Sequence, residues 1–91
     1  MLELPKTKYL LDAAFLAVEI LSDDDSMTRM MEKLEEYERK GVPNIWLIDP
    51  RLRTMAVYSD GRLTEVRGDR IATTGDPCLE LTREEISKDL P

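Results

Sequence analysis

The sequence predicts an α/β domain built on a mixed sheet with a β-α-β core: a strand over residues 15–21, a helix over 27–40 and a strand over 44–49. Antiparallel strands and a short C-terminal helix should follow. Three observations predict this. FLAVEIL (Phe15 to Leu21) and NIWLID (Asn44 to Asp49) are apolar on both strand faces, as in strands covered from two sides. Between them Met27, Met30, Met31, Leu34 and Tyr37 recur at the spacing of one helical face. The segment joining the two strands is long enough for a helical crossover, so they should run parallel with a right-handed connection.

Taken in order, the chain opens on Pro5 to Lys8, which read as exposed, and on Tyr9, Leu10 and Leu11, which call for burial before Asp12 interrupts them. Ser22 to Ser26 is a polar loop. Its aspartates, Asp23, Asp24 and Asp25, stand beside a helix N-terminus, where unsatisfied N–H groups stabilise negative charge; metal ligation by one of them is the alternative reading. The methionine-rich helix face reads as core packing. Gly41 should end the helix as a left-handed cap, and Pro43 prevents its resumption. Beyond Asp49-Pro50, Thr54 to Tyr58 and Leu63 to Arg67 alternate apolar and polar residues about a turn at Ser59-Asp60-Gly61. Arg67-Gly68-Asp69 spells an adhesion tripeptide and reads as a turn before a short segment at Ile71 to Thr73. Thr82 and Glu85 have capping-box spacing, which predicts a helix from Arg83 toward Leu90. Trp46 and Tyr37 read as core or dimer contacts.

Composition excludes more than it selects. At 91 residues the chain is near the size where one core just suffices, so a homodimer is expected. Charged residues make up 35% of it and the net charge is −6, which removes general attraction to nucleic acid or to an anionic membrane; a phosphate substrate would need a local basic cluster or a metal ion. The chain has no histidine, which excludes Ser-His-Asp and Cys-His catalysis and histidine metal sites. Cys78 is the single cysteine, so an internal disulfide and a cysteine-rich zinc site are excluded as well. It reads as an inert small residue in a reducing compartment. No apolar run is long enough to span a bilayer and no leader is visible, so a cytoplasmic protein without membrane contact is expected.

Glu19 is the one charge in the first apolar strand, and burying it costs several kcal/mol unless it is paired, hydrogen-bonded or bound to a cation. On the following helix Lys33 lies about 95° from the centre of the apolar face, a flank from which an ammonium can reach along the sheet edge. Arg29 and Lys40 lie on the same flank farther toward solvent, where they could bind phosphates. A strand carboxylate with a neighbouring lysine suits metal-assisted phosphodiester hydrolysis, in which acidic oxygens hold Mg²⁺ and the lysine orients water or phosphate. A plain ion pair tying helix to sheet is the other reading. Asp49 is a further acidic candidate, although its pairing with Pro50 favours a turn role.

The runs VEILS, EKLEEY, GVPNIWLIDP and RTMAVY, in this order and spacing, resemble the Uma-type restriction endonuclease family, a domain of unknown function within the PD-(D/E)xK nuclease superfamily. The tail GDRIATTGDPCLEL resembles the family's closing segment. The resemblance implies a restriction-endonuclease-like α/β core, a divalent metal, Mg²⁺ or Mn²⁺, and cleavage of nucleic acid, DNA above all. By position it makes Glu19 a metal-binding and catalytic acid. Lys33 matches the catalytic basic residue that has moved from the strand to the following helix, since the E-x-K position is Leu21.

Two departures qualify the match. Family members carry an earlier half that supplies another metal-binding aspartate from a Pro-Asp strand, so residues 1–91 read as a single domain truncated at its N-terminus. No Pro-Asp precedes Glu19, and the acidic candidate is Asp12, in LLDAAF. A straight strand would put Asp12 roughly 23 Å from Glu19 at about 3.3 Å per residue, so Asp12 can join the metal site only if the chain folds back or a second subunit donates it. Two functions therefore stand open, a metal-dependent endonuclease and a catalytically inactive remnant acting as a dimerising or regulatory module. A small α/β interaction domain outside the family is a third.

Overall fold

A computed structural model describes residues 15–89. Strand β1, Leu16–Ile20, pairs in parallel with β2, Asn44–Asp49, in a register that runs from Leu16 opposite Asn44 to Ile20 opposite Ile48. The Leu21 amide extends the ladder by donating to the Ile48 carbonyl at 2.8 Å. Every residue of β2 is buried, which accounts for the apolar run Ile45 to Ile48 at its centre. Helix α1, Met27–Arg39, makes the crossover.

Both ends of α1 are fixed by identifiable groups. Ser26 is the N-cap, and its hydroxyl accepts from the Arg29 amide at 3.2 Å. The capping expected of the aspartates falls to this serine. Asp25 instead accepts from the amide and hydroxyl of Ser22, which hold its carboxyl below the usual range, and Asp23 meets Arg51 at 2.8 Å. At the other end Gly41 adopts φ +86, the left-handed conformation expected of it. Its amide donates to the Glu38 carbonyl at 3.0 Å and the Val42 amide to the Tyr37 carbonyl at 3.1 Å, the paired bonds of a Schellman end.

From β2 the chain turns back into β3, Thr54–Ser59, and then β4, Arg62–Glu65, both antiparallel, for a sheet order β1-β2-β3-β4. Asp60 and Gly61 both have positive φ, as a two-residue hairpin turn of the primed type requires. Strand β5, Arg70–Ala72, falls where a short segment is expected. Its partner β6, Glu80–Thr82, has no counterpart among the sequence expectations; the two form a separate small sheet. Helix α2, Arg83–Asp89, starts with the expected reciprocal bonds between Thr82 and Glu85. No helix among the described residues is long and apolar enough to cross a membrane.

Alternation along the strands divides the core. Met30 and Leu34 of α1 pack with Ala17, Ile45, Leu47, Ala56 and Tyr58 on one sheet face. On the other, Ile71 and Ile86 cover Leu16, Trp46, Ile48 and Met55, so Trp46 is a core residue. Arg83 staples that second layer down: its guanidinium donates to the carbonyls of Arg53, Val66 (3.1 Å) and Gly68 (2.6 Å). Replacing Arg83 by Ala strips three carbonyls of a charged donor and is expected to cost about 1–3 kcal/mol, read as a lower urea midpoint with an unchanged slope.

Candidate active site around Glu19

Along β1, Ala17 and Leu21 belong to the α1 side of the sheet, and Glu19, between them, shares their face. Across the sheet it stands beside Leu47. The resulting environment is apolar below and open at the flank of α1, and the Glu19 side chain keeps 16% of its surface exposed. Two groups from α1 reach it. The Lys33 ammonium lies 3.7 Å from Oε1, and the Tyr37 hydroxyl donates to Oε2. Lys33 and Tyr37 are four residues apart, so one helical flank presents both.

The structure thus brings together the two residues expected at the centre and adds a third. The sequence reads Tyr37 as a core or dimer contact; its ring packs against the core, while its hydroxyl is the second partner of Glu19. Burial, then the bond to Glu19 and the negative charges of Glu19 and Glu36, push its phenol well above the ordinary tyrosine range. The sequence signal for this role is its position one turn beyond Lys33. The Lys33 side chain is 52% exposed, so the ion pair at 3.7 Å is of the solvent-screened kind, worth about 0–1 kcal/mol. An ion pair this weak does little to tie helix to sheet.

Among the described residues, Asp49 lies apart from this cluster. Asp49 is buried and spent on its turn: Oδ1 accepts from the amides of Arg51 at 3.0 Å and Leu52 at 3.4 Å, the turn role expected of an Asp-Pro pair. Asp12 lies outside the described residues. Arg29 and Lys33 line a shallow depression on the outer surface of α1 with Glu32, Glu35, Glu36 and Arg39, so its charge is mixed rather than basic. Cys78 is exposed, with Sγ 3.8 Å from the Thr73 carbonyl. Among the described residues no three Asp, Glu, His or Cys side chains converge as a metal site. Glu19 by itself would offer a single carboxylate to a divalent cation, and hard cations usually take more than one protein oxygen.

The model of a family described as "Putative restriction endonuclease", Uma2, matches residues 3–84. The chain belongs to the Uma2 family. That match includes every strand of the Uma2 domain described above, together with Glu19, Lys33 and Tyr37. No curated protein matches the chain. Among solved structures, the Uma2 chain is similar to a crystal structure from Anabaena variabilis ATCC 29413 described as "a putative nuclease belonging to DUF820", with a TM-score of 0.63 and 23% identity. The similarity covers 80% of this chain and 43% of that one, so the Uma2 chain spans less than half of that protein's length. At this identity the likeness shows the fold, and it agrees with the nuclease-like α/β architecture that the sequence predicts.

Proposed function

We propose that this Uma2 chain is a metal-dependent endonuclease of the PD-(D/E)xK kind, hydrolysing DNA phosphodiester bonds in the cytoplasm as a homodimer. The observation that carries the reading is the Glu19–Lys33 pair, a carboxylate and an ammonium set side by side at the open flank of an otherwise apolar strand. The description of the family supports it. Glu19 would offer Oε1 to Mg²⁺ or Mn²⁺, and Asp12, from the same chain or from the second copy, would add the further oxygen. When bound, such an ion supplies charge stabilisation at the phosphate and a more acidic water. Lys33, half-exposed and without tight geometry to Glu19, is free to orient a phosphate oxygen or the attacking water.

A second reading has its own observation: both oxygens of Glu19 are already engaged, one by Lys33 and one by Tyr37. Under it the chain is a remnant of the fold acting as a dimerising or regulatory module. Plasmid nicking in Mn²⁺ and in EDTA, with Lys33→Met alongside, separates the two. The nuclease reading expects nicking by wild type in Mn²⁺ alone, a rate lowered on the order of 10²–10³-fold by Lys33→Met, and a melting temperature nearly unchanged. Nicking that persists in EDTA or is untouched by Lys33→Met would count against it.

A further inference from the structure

The two oxygens of Glu19 are not equivalent, and the difference comes from Tyr37. Oε2 accepts the hydrogen bond of the Tyr37 hydroxyl, while Oε1 faces the Lys33 ammonium at 3.7 Å. Lys33 is a loose constraint, since half of its side chain is in water and its long stem can turn outward. Tyr37 is a tight one. Its ring packs against the core cluster that holds Met30, Leu34 and Ile45, and its backbone carbonyl accepts the Val42 amide at 3.1 Å in the Schellman end formed at Gly41. The fold therefore sets the place of the phenolic oxygen, and the carboxylate turns to meet it.

A phenylalanine would fill the same ring position, so packing alone does not account for the hydroxyl; a half-buried phenol needs an acceptor, and Glu19 provides it. We infer that Tyr37 is the positioning residue of the Glu19 site: its hydroxyl holds Oε2 and so presents Oε1 to Lys33 and the open flank of β1. Hydrogen bonds of this kind orient carboxylates that ligate metals, and losing one typically costs 10–100-fold in metal affinity. What Oε1 presents itself to rests on the nuclease reading. The hold of Tyr37 on Glu19 does not.

Two measurements on the full chain separate these statements. In the first, the three tyrosines are resolved individually by ¹³Cζ-tyrosine NMR at neutral pH, in wild type and in Glu19→Gln. The Tyr37 resonance should shift in Glu19→Gln, which replaces the carboxylate that its hydroxyl donates to, while that of Tyr58 stays in place. In the second, Mn²⁺ is titrated calorimetrically into wild type and Tyr37→Phe, and the affinity should fall about 10–100-fold in the variant while its melt stays cooperative. A Tyr37 resonance that is the same in wild type and in Glu19→Gln overturns the inference, as does Mn²⁺ binding of equal strength in wild type and Tyr37→Phe. Wild type that takes up no Mn²⁺, with a Tyr37 resonance that still responds to Glu19→Gln, overturns the nuclease reading and leaves the hold of Tyr37 on Glu19 standing.

Discussion

Glu19→Gln is expected to lower metal-dependent cleavage by about 10³-fold and to leave the fold almost as stable as before. Gln preserves shape and can still accept the Tyr37 hydroxyl, so the packing between α1 and β1 is retained. What it removes is the charge and the hard anionic oxygen beside Lys33. A cation's stabilisation of charge in the transition state is worth several kcal/mol, and at about 1.4 kcal/mol per tenfold its loss gives a factor on the order of 10³. The stability term is small because Lys33 is half in water and the pair is screened, about 0–1 kcal/mol. Plasmid nicking in Mn²⁺ and a thermal melt of the same variant check both halves. The remnant reading expects no metal-dependent cleavage from wild type or variant. Cleavage that survives in Glu19→Gln would remove this carboxylate from the chemistry.

The β-α-β core is legible in the sequence because its signals are local. FLAVEIL and NIWLID carry their burial in their composition, Gly41 and Pro43 mark the helix end, and Asp60-Gly61 needs only its own two residues to make the hairpin turn. What escapes the sequence depends on contacts between distant residues. Strand β6 is three residues long, too short for alternation to register, and exists because β5 lies beside it. Arg83 is legible only as the start of the C-terminal helix, and its carbonyl partners Arg53, Val66 and Gly68 are 15 to 30 positions away. Tyr37 belongs to the helical stripe of apolar residues, so the place of its ring can be read from spacing, while the partner of its hydroxyl, 18 positions away, cannot. The capping expected of Asp23, Asp24 and Asp25 falls to Ser26 for a local reason: Asp25 folds back onto Ser22 and leaves the end of α1 to the serine. At the site, Glu19 is legible as a charge in need of a partner, and helical geometry brings Lys33 close enough to be that partner.

The second large effect falls on Asn44, a buried amide at the start of β2 where an apolar residue would be the simpler choice. Nδ2 donates to the carbonyls of Phe15 at 3.3 Å and Thr74 at 3.2 Å, while Oδ1 accepts from the amide and hydroxyl of Thr74 at 2.9 and 3.2 Å. Every hydrogen-bonding position of the side chain is thus filled, which is what makes its burial tolerable. The four bonds join the residue preceding β1 to the loop after β5, with β2 between them, and the Phe15 ring lies under Gly75 of that loop. Asn44→Ala leaves the Phe15 carbonyl and the Thr74 amide without partners. At about 1–3 kcal/mol for each buried group left unpaired, and with Thr74 exposed enough to recover water, a loss of about 2–3 kcal/mol is expected. For a domain holding roughly 5–15 kcal/mol in all, that is a fall in melting temperature of about 10–20 °C at about 4–8 °C per kcal/mol. Asn44→Asp tests the direction of the donors, since it keeps the acceptors and shape but turns an anionic oxygen toward two carbonyls; it should be at least as destabilising as Ala. An Asp variant as stable as wild type would show that the two donated bonds contribute nothing. Hydrogen exchange should locate the loss as well, because the bonds removed anchor the beginning of β1 and the 73–79 loop: protection is expected to fall there first, while the β3–β4 hairpin, tied instead to α1 through the Glu38 carboxylate and the Asp60 and Gly61 amides, keeps its own.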